Sequence, residues 1–402
     1  MLLTLSRIIL ILKVLKNTEG FFLDPGIEAG SDIDEYINTT TLIESKGYIA
    51  EEHDLITQDG YILSINRIIN PNVKNNTGRP VVLLQHGLLD SSASWVINFK
   101  DQSLGFILSD EGYDVWLGNM RGNRYCLKHL KYHKKQPEFW DFSWSDMGKY
   151  DLNAIINYIL KTTGQSSLIY IGHSQGTMIG FSEFGSNKDL AAKIKLFIAM
   201  GPVTTVKYIK SPIHYIANMG KFTNQEIWYS LFGNKDFLPS SKTLDWMADK
   251  LCNFKMTDRL LCMNTFFLFC GPSKYMNRTR IAVYTTHNPS GTSVKNMAHY
   301  AQCVMSGKFQ MYDYGPKKNL VNYNQTTPPE YDLTSVQVPT AIYWATNDWL
   351  ADPEDVKFIR DVLPNIVDDY EILDWNHLDF VLATNTKKCL YDRIVNLMNK
   401  FA

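Results

Sequence analysis

Gly172-His173-Ser174-Gln175-Gly176 is the stretch of this sequence richest in chemistry, and it has the form G-x-S-x-G. A serine hydroxyl is a poor nucleophile near neutral pH. It needs an imidazole to take its proton, and that imidazole needs a carboxylate to fix its tautomer and stabilise its charged form. Five-residue patterns of this kind also arise by chance, so the rest of the chain has to supply the base and the acid. Of nine histidines, only His377 lies beyond His299, and Asp348 falls between Ser174 and His377. Asp352 and Asp355 are close rivals but suit a helix start, where carboxylates meet the helix dipole favourably. Asp374 and Asp379 lie too near His377 along the chain to be its usual partner. The bland alternative for His377 is a loop histidine capping a helix. Serine, aspartate and histidine, in that order and each after an expected strand, outweigh it. Stabilising an oxyanion takes two backbone N–H donors. Gln175, the residue after the serine, is one; Leu88, in His86-Gly87-Leu88-Leu89, is chosen as the other. His86 and His173 are expected in structural roles, the first because it lies early in the chain, the second because it adjoins the serine.

These residues need strands to carry them. Leu168 to Ile171 reads as the strand into Ser174, and Thr177 to Phe184 as the helix out of it, the strand–turn–helix of a nucleophile elbow. Tyr48–Thr57 and Tyr61–Ile69 flank Asp59-Gly60, a strong hairpin signal. Pro80–Gln85, Tyr113–Gly118, Ile194–Met200, Pro339–Trp344 and Tyr370–Leu373 are further strands, several of them continuous apolar runs that suit a parallel sheet buried on both faces. Between them lie Ser103–Asp110, Tyr150–Lys161 and Asp352–Leu363 as helices. The second has an apolar stripe of Leu152, Ile155, Ile156, Ile159 and Leu160; the third has Asp352 as N-cap and Pro353 at N1. A further helix carries Tyr391, Ile394, Val395 and Met398. The expected class is therefore α/β, a mostly parallel central sheet with helices on both faces. Residues 203–325 break the alternation. They are aromatic-rich and helix-like, and are expected as a mainly helical insertion between sheet portions at 21–202 and 326–402.

The chain has 402 residues with a net charge of −1, which offers no electrostatic case for nucleic acid or an anionic membrane. Residues 1–20 fit a cleaved signal peptide: Leu2–Leu15 is too short and too charged to span a bilayer, and Gly20 suits a cleavage site. No later apolar run is long enough for a transmembrane helix. Secretion makes the sequons at Asn38, Asn75, Asn277 and Asn324 expected glycan sites. Six cysteines are too few for a disulfide scaffold, and one or two bridges are expected. No metal-binding pattern is present, and no cofactor or metal is expected. The aromatic insertion, near-neutral charge and secretion suit an apolar acyl ester.

Several stretches resemble the acid lipases, the family of gastric and lysosomal acid lipases. They are G-H-S-Q-G at 172–176, Q-H-G-L-L at 85–89, G-Y-D-V-W-L-G-N-x-R-G-N at 112–123, P-E-F-W-x-F-S at 137–143, H-N-P-S-G-T-S at 287–293, D-W-L-A-D-P at 348–353 and N-H-L-D-F at 376–380. The resemblance runs in register from about Thr40 to the C-terminus. It implies an α/β-hydrolase fold with a cap and lid, and hydrolysis of triacylglycerols or cholesteryl esters at mildly acid pH without colipase or metal. It also implies Ser174, Asp348 and His377 as triad and Leu88 and Gln175 as oxyanion donors. A cap disulfide between Cys252 and Cys262 is implied too, although these stand ten apart where the family has nine. Met120 stands where the family usually has serine, and Ala345-Thr346-Asn347 replaces a Gly-Gly lead-in to the acid. The expectation is a secreted, or lysosomal, serine lipase acting at a lipid–water interface. A catalytically weak lipid-binding protein and an acyltransferase on the same scaffold remain as alternatives.

Overall fold

A computed structural model describes residues 32–73, 78–211, 229, 232–238 and 266–402. The expected signal segment, Asn75, Cys252, Cys262 and much of the insertion lie outside the described residues. Eight strands form the main sheet: β1 (Ile49–Ile56), β2 (Tyr61–Ile69), β3 (Val81–Gln85), β4 (Asp114–Gly118), β5 (Leu168–His173), β6 (Ile194–Met200), β7 (Thr340–Ala345) and β8 (Ile366–Ile372). Their spatial order is β1-β2-β4-β3-β5-β6-β7-β8, and a two-residue strand, Lys128–His129, pairs with the edge of β2. The β1–β2 hairpin and the β2–β4 pair are antiparallel. Every pair from β4 to β8 is parallel.

Alternation along each strand explains the two layers. Leu168 and Tyr170 of β5 enter one hydrophobic cluster, Ile169 and Ile171 the other. Val81 and Leu83 of β3 share the first cluster, Val82 and Leu84 the second. Side chains on a strand point alternately to opposite faces, so a strand apolar at every position fills both. Helix α1 (Asn153–Thr163) covers the first face with Ile155, Ile156 and Ile159, the expected stripe. It ends at Gly164 with φ 70°, a left-handed cap that suits glycine. Its first turn differs from expectation: Met147–Leu152 is a π-turn leading into the α-helix. Helix α2 (Gln175–Ser186) packs on the same face, while Leu104–Asp110 and Asp392–Met398 cover the other. The last strand begins four residues earlier than its apolar residues suggest, because β8 is an edge strand whose alternate residues face solvent.

Between β6 and β7 the described residues include the helices Ile281–His287, α3 (Val294–Ser306) and Pro316–Tyr323. Ile281 and Tyr284 enter one cluster; Val294, Met297 and Ala301 enter the other. This span is thus packed into the same cores as the sheet. Helix α4 (Pro353–Val362) follows β7, and the Asp352 carboxylate accepts from the Glu354 amide as an N-cap.

Candidate active site

Parallel strands share one carboxyl edge, and loops from that edge converge. Ser174 follows β5, with φ 55° and ψ −119°, a strained conformation for a residue bearing a Cβ, at a cost of about 1–3 kcal/mol. Close packing explains the flanking glycines. A Cβ on Gly172 would stand 2.7 Å from the Gly176 carbonyl carbon, and one on Gly176 would stand 2.5 Å from the Gln85 carbonyl oxygen. The strand end is fixed by the Ser174 amide donating to the Met200 carbonyl at 3.1 Å.

Asp348 follows β7 and is 1% exposed. Its Oδ1 accepts from the amides of Leu350 (2.9 Å) and Ala351 (2.8 Å), while Oδ2 accepts from His377 Nδ1 at 2.7 Å. Two fixed N–H donors thus aim the other oxygen at the imidazole. His377 follows β8, 2% exposed, and its Nε2 is buried without a hydrogen-bond partner among the described residues. Nδ1–H on the aspartate leaves Nε2 as the lone-pair nitrogen. The unusual lead-in Ala345-Thr346-Asn347 places Asp348 against His377 all the same: Asn347 N–H donates to the Trp375 carbonyl at 3.0 Å, joining the two loops. The rival carboxylates are committed elsewhere. Asp355 accepts from Thr205 Oγ1 at 2.7 Å and the Tyr208 amide at 2.8 Å, and Asp352 caps α4. Asp379 accepts from the Asn376 amide (2.8 Å) and Ser273 Oγ (2.7 Å), and burial raises its pKa to about 7.

The other two nearby histidines are committed to main-chain hydrogen bonds. His173 Nε2 donates to the main-chain oxygen of His377 at 2.8 Å, and burial drops its pKa to about 3. It is a neutral prop under the loop of His377. His86 Nδ1 donates to the Gly87 carbonyl at 2.8 Å, its Nε2 accepts from the Met120 amide at 3.2 Å, and burial lowers its pKa to about 4. Met120 contributes its amide to this bond and packs its side chain into the core.

The loop after β3 lies against the elbow: a Cβ on Gly87 would stand 3.0 Å from Ser174 Cβ. Leu88 is half-buried there, and Gln175 begins α2, so its amide has no acceptor within the helix. The Gln175 side chain is tied across the site: Oε1 accepts from Asn296 Nδ2 at 2.9 Å and Tyr300 hydroxyl at 3.2 Å, both on α3. Asn296 Oδ1 in turn accepts from the Trp144 amide at 2.7 Å. Sequence reasoning passes over Asn296 and Tyr300, since lone polar residues on a helix carry no period.

A second tie escaped it too. The carbonyl of Cys270 accepts from the amides of His377 (3.3 Å) and Trp349 (3.4 Å), and the Gly271 carbonyl accepts from Asn376 Nδ2 at 2.7 Å. Residues 270–273 therefore brace the loops of Asp348 and His377 against each other. Gly271 has φ 96°, and a Cβ there would stand 2.1 Å from the Asn347 carbonyl oxygen.

Of the expected glycan sites, Asn38 and Asn324 are exposed. Asn277 is 5% exposed, and its Nδ2 donates to Asn98 at 3.2 Å and Gln102 at 3.3 Å. A glycan at Asn277 requires both bonds to be given up. Among the described residues no group of His, Cys, Asp and Glu is arranged to hold a metal, and no helix is long and apolar enough to cross a membrane.

A serine on a strained elbow, with a buried His–Asp pair on neighbouring loops of the same edge, defines the α/β-hydrolase class. The family model described as the alpha/beta hydrolase fold matches residues 80–384, and that of a partial alpha/beta-hydrolase lipase region matches 39–99. A putative aryl esterase from Burkholderia cenocepacia shares the fold, with a TM-score of 0.51 at 14% identity over 87% of this chain and 98% of that one. The chain is 45% identical to human gastric triacylglycerol lipase, over 100% of its own length and 99% of the relative's. It is 44% identical to human lysosomal acid lipase/cholesteryl ester hydrolase, over 92% of each. The chain belongs to this family of gastric and lysosomal acid lipases, which are carboxylic ester hydrolases.

Proposed function

We propose that the protein is a serine lipase that hydrolyses neutral lipid esters, triacylglycerols and cholesteryl esters, through an acyl-enzyme. Ser174 Oγ attacks the ester carbonyl carbon while His377 Nε2 takes its proton; Asp348 stabilises the imidazolium. The Leu88 and Gln175 amides receive the oxyanion. The tetrahedral adduct collapses, His377 returns the proton to the leaving alcohol, and water then repeats the sequence to release the fatty acid. The observation that carries this reading is the 2.7 Å His377–Asp348 bond, which leaves His377 Nε2 unpartnered at the elbow's edge. The 45% identity to a gastric triacylglycerol lipase and 44% to a cholesteryl ester hydrolase favour these two ester classes.

We further propose that residues 203–325 form the cap over the site, that Cys252 and Cys262 are bridged, and that Asn38 and Asn324 carry glycans on a secreted chain. The acyltransferase alternative shares the acyl-enzyme and differs only in which nucleophile resolves it. Ser174→Ala is expected to lower turnover of a long-chain ester by roughly 10⁵-fold or more with the melting temperature retained. Wild-type protein is expected to take a covalent organophosphonate label on Ser174. Retained turnover in the alanine variant overturns the assignment.

A further inference from the structure

The net charge of −1 averages over a strongly uneven surface. Residues 124–135 carry Arg124, Lys128, Lys131, Lys134 and Lys135 with His129 and His133, and no acidic residue. Lys128, Lys131, Lys134 and Lys135 are all exposed. Of these four lysines, among the described residues, Lys128 has a carboxylate nearby, Asp54 at 3.8 Å, in a loose pair with both side chains more than half exposed. Among the described residues, Lys131, Lys134 and Lys135 have no acidic partner within 4.0 Å. Leu130, in their midst, is 66% exposed. A cleft of about 470 Å³ opens here, lined by Arg124, Lys128, His133 and Lys134 with Tyr125 and Tyr132.

The backbone beneath these charges is fixed. Lys128–His129 pairs with Tyr61 and Ile62 of β2. His129 Nε2 donates to the Asp59 carbonyl at 3.0 Å, while its Nδ1 accepts from the Lys131 and Tyr132 amides at 2.9 and 3.1 Å. The Lys134 carbonyl accepts from Trp140 Nε1 at 2.7 Å. Like charges are thus held together on one hydrogen-bonded loop at a cost in repulsion, which the Lys131 contact with the Tyr132 ring at 5.1 Å and the loose Lys128–Asp54 pair offset only in part.

Position supplies the purpose. The loop leaves the carboxyl end of β4, the edge that also bears Ser174, Asp348 and His377. Arg124 Nη2 donates to the Thr286 carbonyl at 2.9 Å and its amide to Ser290 Oγ at 3.4 Å; the Ser290 amide donates to the Leu89 carbonyl at 2.6 Å. One residue therefore separates the basic loop from the loop holding Leu88. A lipid surface that approaches this edge of the sheet approaches the loop that carries these lysines.

We propose that residues 124–135 seat the enzyme on anionic lipid at the lipid–water interface, with the lysines against negative headgroups and Leu130 in the apolar layer. This rests on the lipase reading only in that a lipid surface is what the enzyme meets; docking needs no turnover. The test is partition of the full-length secreted chain onto phosphatidylcholine vesicles, with and without phosphatidylglycerol. Turnover of a soluble short-chain ester is measured alongside, so that a failure of catalysis is told apart from a failure of docking. Wild type is expected to bind the anionic vesicles at least ~10-fold more strongly than the neutral ones, with the excess lost at high salt. Combining Lys131→Gln, Lys134→Gln and Lys135→Gln is expected to weaken anionic binding on the order of 100-fold, ~5-fold per lysine. Neutral-vesicle binding and soluble-ester turnover should be unchanged. Lys317→Gln with Lys318→Gln, exposed on the Pro316–Tyr323 helix, should leave all readouts unchanged. Equal binding of wild type to both vesicles overturns the proposal. So does a triple variant that keeps wild-type anionic binding, or a loss as large in the control pair.

Discussion

Asn296 illustrates how much of this site depends on single polar side chains far from it in sequence. It donates to Gln175 and accepts from the Trp144 amide, and it is fully buried. Replacing it with leucine strands the Trp144 N–H and removes one of two donors to Gln175 Oε1, each loss worth about 1–3 kcal/mol. Asn296→Leu is expected to lower the melting temperature and to reduce kcat on a soluble ester, with KM nearly unchanged, because the amide of Gln175 shifts with its side chain. An unchanged kcat would show that the side-chain tie does not set the backbone. That Ser174, Asp348 and His377 each follow a strand at one sheet edge was legible in the sequence, because apolar runs mark the strands and glycine or polar residues end them. Asn296 was not, and for His173 the structural role was legible but its partner was not: their bonds span 121 and 204 residues, and no local pattern announces a partner at that distance.

At the scale of elements, the brace at 270–273 and the strands make a contrast. Strands and helices were legible because hydrophobic alternation and capping are local. The brace has no regular structure, and its role appears only when the loops after β7 and β8 are brought to it. Gly271 tests it. A methyl there meets the Asn347 carbonyl, next to Asp348, and the backbone has a positive φ. Gly271→Ala is expected to displace the acid loop from the base loop and to reduce kcat by roughly 10²-fold, the scale of a 1 Å misplacement. The protein should stay folded by circular dichroism. Near-wild-type kcat in a folded variant would assign the brace to packing alone.

Over the whole molecule, buried titratable groups set two opposing pH dependences. Burial holds His86, His173, His287 and His299 at about 4, 3, 4 and 3. Unfolded, they titrate near 6.5, so between about pH 6.5 and 4 the unfolded chain binds more protons and acid destabilises. Burial raises Asp90 to about 6, Glu183 to about 7 and Asp379 to about 7. Their unfolded values lie near 4, so over much of the same window the native state binds more protons and acid stabilises. The two sets largely offset. Stability is expected to change little from pH 6.5 to 4. Below that, ion-paired carboxylates with depressed pKa values, such as Asp34 and Asp59, protonate and stability falls. Thermal melts across pH 3–7 check this; a steep decline already between pH 6.5 and 5 would show the histidines dominating.

The elbow has a consequence for how the chain finds its fold. Val81–Leu84 of β3 and Leu168–Ile171 of β5 put apolar side chains on both faces, so sliding either run by one residue would exchange side chains between two apolar layers. Burial alone therefore specifies register weakly in these strands. What distinguishes the native alignment is the turn at the end of β5. Gly176 fits against the Gln85 carbonyl, and the Ser174 amide meets Met200, in that alignment. The two glycines that expose the nucleophile are thus also the pins that tell the central strands where to stop.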